Sequence, residues 1–197
     1  MAKAKHVEAG QADLDRARFY FDRAIQLDPK NYFAYSHAGY FTLYFDDPLL
    51  AARSCEYFRQ AAVVGPSKQS PLINMALLCL NSFNDPEESI RCVDGAQGRT
   101  EWEKDGSVPE PQHCYDVRAC ALAAIARKTA DAAAKRKVLA SAVEQLENST
   151  LVADDWIRAC FNGDTQTAPD RTATFDEIEA DPTLLPHFQK VRSALAS

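Results

Sequence analysis

The sequence predicts an all-α fold built from antiparallel helix pairs stacked side by side. Three observations predict it. The pattern Phe-x2-Ala-x4-Pro occurs at Phe21–Ala24–Pro29 and again at Phe58–Ala61–Pro66, 37 residues further on. A self-similar unit of that size marks a helical repeat array. Glycine is scarce, with 7 residues in 197, alanine crowds 119–142, and no long Val/Ile/Thr alternation occurs, which favours helix over sheet. Apolar residues recur at helical rather than alternating spacing throughout.

The first helix is predicted over 14–27, capped by Asp13. Leu14, Ala17, Phe21, Ala24, Ile25 and Leu27 form its buried stripe. Asp28-Pro29 stops it, since a residue before proline avoids the helical region. The second helix, over 31–45, holds seven aromatic residues in fifteen positions. Gly39 lies inside it. A glycine there weakens an exposed helix by about 1 kcal/mol relative to alanine, so its presence implies that a neighbouring helix comes close. On this reading Gly39→Leu overpacks, whereas Gly39→Ala costs less or even stabilises.

Asp46-Asp47-Pro48 makes a turn, and Pro48 suits a first helical position. The third helix runs over 48–64, with Leu49, Ala52, Cys55, Phe58, Ala61 and Ala62 turned inward, and ends at Gly65-Pro66. A third pair follows, over 72–83 and 87–96, opened by Ser70-Pro71 and turned at Asn84-Asp85-Pro86. Glu87 and Glu88 fall where a helix dipole favours acids. The stretch 97–111 breaks the rhythm; loops of that length are uncommon in compact domains. A fourth pair is predicted over 112–127 and 131–147, a short helix over 151–161, a polar loop over 162–172, and closing helices over 175–180 and 182–196.

These residues resemble the tetratricopeptide repeat (TPR) family, whose unit is a 34-residue antiparallel helix pair. In the first unit Ala17, Phe21, Ala24 and Pro29 match the second helix. In the second unit Tyr35, Ala38 and Gly39 match the first helix, and Phe58, Ala61 and Pro66 the second, with Ser54 in place of an alanine. In the third unit Leu72, Met75, Ala76 and Cys79 take the first-helix positions, but the second helix lacks the signature. The match covers 1–96, extends more weakly over 112–147, and lacks a recognisable first helix A in 1–12. The closing Phe175…Ile178…Asp181-Pro182…Pro186-x-Phe188 stretch is similar to tails that close some bacterial repeat arrays.

The resemblance implies a right-handed α-solenoid, with residues 1–147 as a TPR-like array carrying a long loop at 97–111 and residues 148–197 as a C-terminal helical cap. It also implies a concave groove lined by the first helix of each pair. Phe33, Tyr40, Tyr44 and Asn74 fall on groove positions and suit an extended peptide by stacking and amide hydrogen bonding. Family members that grip a C-terminal carboxylate use lysine and arginine on these helices. Residues 31–45 and 70–83 have neither, so that clamp is not expected. Trp102 is read as a plug into the edge of the stack rather than a lid over the groove.

Catalytic and metal-binding patterns are missing. No two of His6, His37, His113 and His187 share a helix face. His113-Cys114 near Cys120 lacks the tight pairing of a structural zinc site. There is no Gly-rich phosphate loop and no Gly-x-Ser-x-Gly motif. Asp46-Asp47 and Asp154-Asp155 read as capping residues. No cofactor is expected. Six cysteines, none in a Cys-x-x-Cys pair, read as small buried hydrophobes in a reducing compartment.

A net charge of −6 argues against nucleic acid and anionic membrane as partners. The N-terminus carries no signal-peptide pattern and no apolar run spans a membrane, so a cytoplasmic protein is expected. The function read from this is a non-enzymatic scaffold binding a protein or peptide partner. The competing reading is a regulatory or substrate-docking TPR module cut from a longer multidomain protein that carries an enzyme.

Overall fold

The structure is a computed structural model that describes residues 11–43, 48–101, 111–150 and 175–196. The described residues are helical and contain no strand; one isolated bridge pairs Lys68 with Glu101. The helices are α1 (Gln11–Leu27), α2 (Tyr32–Leu43), α3 (Pro48–Val64), α4 (Ser70–Asn81), α5 (Pro86–Gln97), α6 (Pro111–Lys128), α7 (Ala132–Thr150), α8 (Asp176–Glu179) and α9 (Leu185–Ala196).

Local chemistry sets the boundaries. Asp13, expected as the cap of the first helix, lies inside α1, which is described from Gln11 onward. Asn31 is the cap of α2: its Oδ1 accepts from Ala34 N at 3.0 Å. Ser82 N and Phe83 N both return to Leu78 O, and Asn84 takes φ 51°, a left-handed conformation asparagine tolerates. α4 therefore ends at Asn81, two residues short of the expected end. Asp85 Oδ1 accepts from Glu88 N at 2.9 Å and caps α5 behind Pro86. Asp131 does the same for α7, accepting from Ala134 N at 2.7 Å. α7 runs to Thr150, three residues beyond the expected end at 147, with Ser149 buried.

Consecutive helices pack as α2 on α3, α4 on α5 and α6 on α7, with α3 on α4 and α5 on α6 joining the pairs. A shared device sits on the second helix of each pair. Ser54, Phe58 and Ala61 on α3, Ser89, Val93 and Ala96 on α5, and Ala142, Leu146 and Ser149 on α7 are all fully buried. Each triplet is small–large–small at i, i+4, i+7, one face of a helix. The small residues let a neighbouring backbone approach, and the large one fills the space between. Ala17, Phe21 and Ala24 on α1 share the spacing but are only half-buried, with Phe21 stacked on Phe41 at 5.6 Å. The third and fourth pairs thus carry the pattern that their residue identities hide.

Two apolar clusters result. One joins α3, α4, α5 and the start of α6 around Phe58, Ile73, Val93 and Val117. The other joins α6, α7, α8 and α9 around Leu146, Phe175, Ile178, Phe188 and Leu195. α6 contributes to both, which explains its alanines: a helix covered on two sides has little room for large side chains. Cys55, Cys79, Cys92, Cys114 and Cys120 are buried free thiols within this packing.

The stretch after α5 returns to the second inter-pair turn. Arg99 Nη1 donates to the carbonyls of Ala62, Gly65 and Lys68 at 3.0, 3.1 and 3.0 Å. Glu101 exchanges backbone hydrogen bonds with Ser67 and Gln69, and its carboxylate holds buried Lys68 Nζ at 2.6 Å. The start of the 97–111 loop is therefore fixed. Trp102 lies outside the described residues.

Candidate functional site

α2 and α4 carry three of the predicted groove residues, Phe33, Tyr40 and Asn74. Their sequences, YFAYSHAGYFTL and SPLINMALLCLN, contain no Asp, Glu, Lys or Arg. Any surface they present is polar through hydroxyl, imidazole and amide groups alone.

Phe33, on the first turn of α2, is 47% exposed, as a ligand-facing ring must be. It stands edge-to-face on Tyr32 at 5.3 Å and tilts towards His37 at 6.2 Å. Tyr40, two turns further along α2, is half-buried. Its ring lies edge-on to Phe58 at 5.3 Å and 83°. Its hydroxyl accepts from Asn74 Nδ2 at 2.9 Å, and the same amide nitrogen donates to Ser70 O at 2.8 Å. The structure thus brings Tyr40 and Asn74 together across two helices, but directs their hydrogen bond at each other. Tyr44 lies outside the described residues.

The sequence reading missed a second bridge between these helices. Tyr32 is buried, and its hydroxyl lies 3.2 Å from Ser70 Oγ. Lys68 Nζ sits 5.8 Å over the Tyr32 ring. Spacing marks neither bridge: in the register that sets Tyr35 against Leu72 and Gly39 against Ala76, Asn74 is the equivalent of His37 rather than of Tyr40, and nothing marks Tyr32 and Ser70.

The α2–α4 pair therefore presents an uncharged aromatic surface whose orientation is fixed by two side-chain bridges. Phe33 and His37 are exposed on it, and the Tyr40–Asn74 pair is partly accessible. Such a surface can stack on and hydrogen-bond to a ligand. Among the described residues, no group of three or more His, Cys, Asp or Glu side chains is placed to hold a metal ion. Among the same residues, no helix is long and apolar enough to cross a membrane.

No protein family matches the chain, and no curated protein does. Among solved structures, the chain is similar to PilW, described as a widely conserved type IV pilus biogenesis factor, with a TM-score of 0.58 and 20% sequence identity. The likeness covers 95% of this chain and 72% of that one. At that identity it is a likeness of fold, and it fits a TPR-like helical protein.

Proposed function

We propose that the chain is a non-enzymatic interaction scaffold, a right-handed TPR-like α-solenoid that holds an uncharged, extended peptide segment of a protein partner across α2 and α4. The observation that carries this is the exposed Phe33 ring beside the Tyr40–Asn74 bridge, on two helices without a single charge. An aromatic anchor on a pre-oriented surface concentrates binding energy in a few contacts. The fold likeness to PilW supports an assembly role rather than a catalytic one, since PilW is described as a biogenesis factor. The burial of Cys55, Cys79, Cys92, Cys114 and Cys120 as small hydrophobes supports a reducing compartment, the cytoplasm.

The test starts from partners captured with the wild-type chain and compares their affinity for Phe33→Ala and for Val63→Ala. Val63, on α3 and 67% exposed, is the control. Loss of a hot-spot aromatic should weaken binding about thirtyfold or more, while Val63→Ala leaves it unchanged. Affinity should vary little between low and high salt, because the surface offers no charge to screen. Equal affinity for Phe33→Ala and the wild type, with both folded, would remove the α2–α4 surface from consideration.

A further inference from the structure

α1 and α3 share more than the Phe-x2-Ala-x4-Pro pattern. Arg16 and Tyr20 on α1 stand where Arg53 and Tyr57 stand on α3, each 37 residues further on. An arginine and a tyrosine four residues apart lie side by side on one helix face. On α3 this pair is a clamp. Arg53 Nε donates to the Tyr57 hydroxyl at 3.2 Å, and the guanidinium carbon lies 5.6 Å from the centre of the Tyr57 ring. Together they hold one carboxylate from the helix alongside, Asp22 of α1. Tyr57 Oη donates to Asp22 Oδ1 at 2.7 Å, and Arg53 Nη2 donates to Asp22 Oδ1 and Oδ2 at 3.4 and 3.2 Å.

On α1 the same pair is exposed, and among the described residues neither the Arg16 guanidinium nor the Tyr20 hydroxyl has a hydrogen-bond partner. Phe19, Arg23 and Leu27 lie on the same face, at i+3, i+7 and i+11 from Arg16. Phe19 and Tyr20 are each 63% exposed and Leu27 69%. No carboxylate shares this face: Asp15 turns to Arg18, and Asp22 to α3. Arg23 donates to the neutral amide of Gln26.

We propose that this face of α1 docks an acidic amphipathic helix of a partner protein. The Arg16–Tyr20 pair grips one of its aspartates or glutamates as Arg53–Tyr57 grips Asp22, and the partner's apolar residues cover Phe19 and Leu27. None of the residues assigned to the α2–α4 surface takes part, so this docking stands or falls separately from the peptide reading.

The copy inside the fold identifies the ligand. On α3 the occupant of the clamp is an aspartate carried by a helix, and α1 repeats the same residue types at the same separation. Three large apolar side chains flanked by two arginines call for the opposite pattern on a partner, an apolar stripe beside an acid. Apolar cover also dries the clamp, which strengthens its charged hydrogen bonds. The chain's net charge of −6 weighs against a longer polyanion. Nucleic acid or an anionic membrane would reach past α1 and meet the excess of acids elsewhere.

The experiment measures binding of the full chain to a fluorescent amphipathic helical peptide that carries leucines and one aspartate on one face, and to its asparagine version. The wild type should bind the aspartate peptide about tenfold more tightly. Arg16→Gln and Tyr20→Phe should each remove most of that preference, while Lys190→Gln, which removes one exposed charge on α9, leaves it intact. All of these side chains are exposed. Should a variant unfold, a photoreactive group beside the aspartate reads the site on the wild type, where cross-links should fall within residues 16–27. Equal affinity for the two peptides, no binding of either, a preference that survives in folded Arg16→Gln and Tyr20→Phe, or cross-links on another helix would overturn the proposal. So would Arg16-dependent binding to phosphatidylserine vesicles without peptide binding, which assigns the face to a membrane. Arg16-dependent dimerisation in sedimentation runs would also overturn it, since the occupant would then be a second copy of this chain.

Discussion

A Cβ on Gly39 would stand 2.7 Å from Cε1 of Phe58. Phe58 is fully buried, and its ring edge supports Tyr40, whose hydroxyl takes the Asn74 hydrogen bond. Ser54 Oγ closes the same contact by donating to Gly39 O at 2.7 Å. The absence of one methyl group at Gly39 therefore sets the distance between α2 and α3, and through Phe58 and Tyr40 it sets the floor of the α2–α4 surface.

This contact decides the sign that was left open for Gly39→Ala. Helix propensity favours the alanine, but its methyl would meet a fully buried ring at 2.7 Å, so the packing must shift. Gly39→Ala should destabilise, and Gly39→Leu should do so by about 1–3 kcal/mol or more through overpacking. Phe58→Leu makes room, so the double variant Gly39→Ala/Phe58→Leu should lose less than the two single losses combined. Urea unfolding of the four proteins checks this; strictly additive losses would show that Gly39 and Phe58 do not meet.

The Tyr40–Asn74 hydrogen bond can be separated from the ring packing beneath it. Tyr40→Phe removes the hydroxyl and keeps the edge contact with Phe58, so it should cost about 0.5–1.5 kcal/mol of stability. Tyr40→Ala removes both and should cost about 3 kcal/mol or more. Asn74→Ala on top of Tyr40→Phe should add less than it does alone. The same set, measured for partner affinity, distinguishes a lost contact from a lost fold.

The repeat was legible where its residues kept their identities. Phe21–Ala24 and Phe58–Ala61 announced the unit, and Gly39 announced a close approach. The third and fourth units were harder to read because Val93 and Leu146 replace the aromatic, and Ser89 and Ser149 replace alanines, while keeping the small–large–small order and spacing. Packing reads size at i, i+4, i+7, not residue name. Of the candidate site, Phe33 was placed on an exposed surface, and Tyr40 and Asn74 on neighbouring helices, by register alone. That the last two bond to each other depends on an interhelical distance that no spacing encodes. The Arg99 and Lys68–Glu101 contacts were invisible for the same reason: they join the end of α5 to a turn more than 30 residues earlier.

Arg99 supports a prediction of its own. One guanidinium nitrogen serves three carbonyls at the α3–α4 turn. Burial lowers the Arg99 pKa, yet arginine remains charged at any ordinary pH. Arg99→Met keeps much of the stem packing and removes the donors, so it should cost about 1–3 kcal/mol. Lysine has too compact a head to span three carbonyls and should rescue only part. Full stability in Arg99→Met would show that the turn holds itself without this residue.

Cys114 yields a pH dependence. It is fully buried at the start of α6, and burial pushes its thiol from 9.0 up to about 12, opposed by the Arg118 guanidinium. The sign follows from linkage. A thiol whose folded value exceeds its unfolded value stays neutral in both states below pH 9, so its contribution to stability is fully present there. As pH rises from 9 towards 12, the unfolded chain ionises first, and that contribution is lost at up to about 1.4 kcal/mol per pH unit. Cys114→Ala has no thiol to ionise. At pH 7 the wild type should be the more stable of the two, because alanine leaves a small void. Above pH 9 the wild type should lose stability faster, since lysines and tyrosines titrate alike in both proteins and cancel in the difference. By pH 11 the gap should have narrowed by about 2–3 kcal/mol, or reversed. Denaturant titrations of both proteins at pH 7, 9, 10 and 11 measure this directly. A gap constant across that range would mean that the Cys114 thiolate is solvated in the folded chain, and that α6 is not covered on this side.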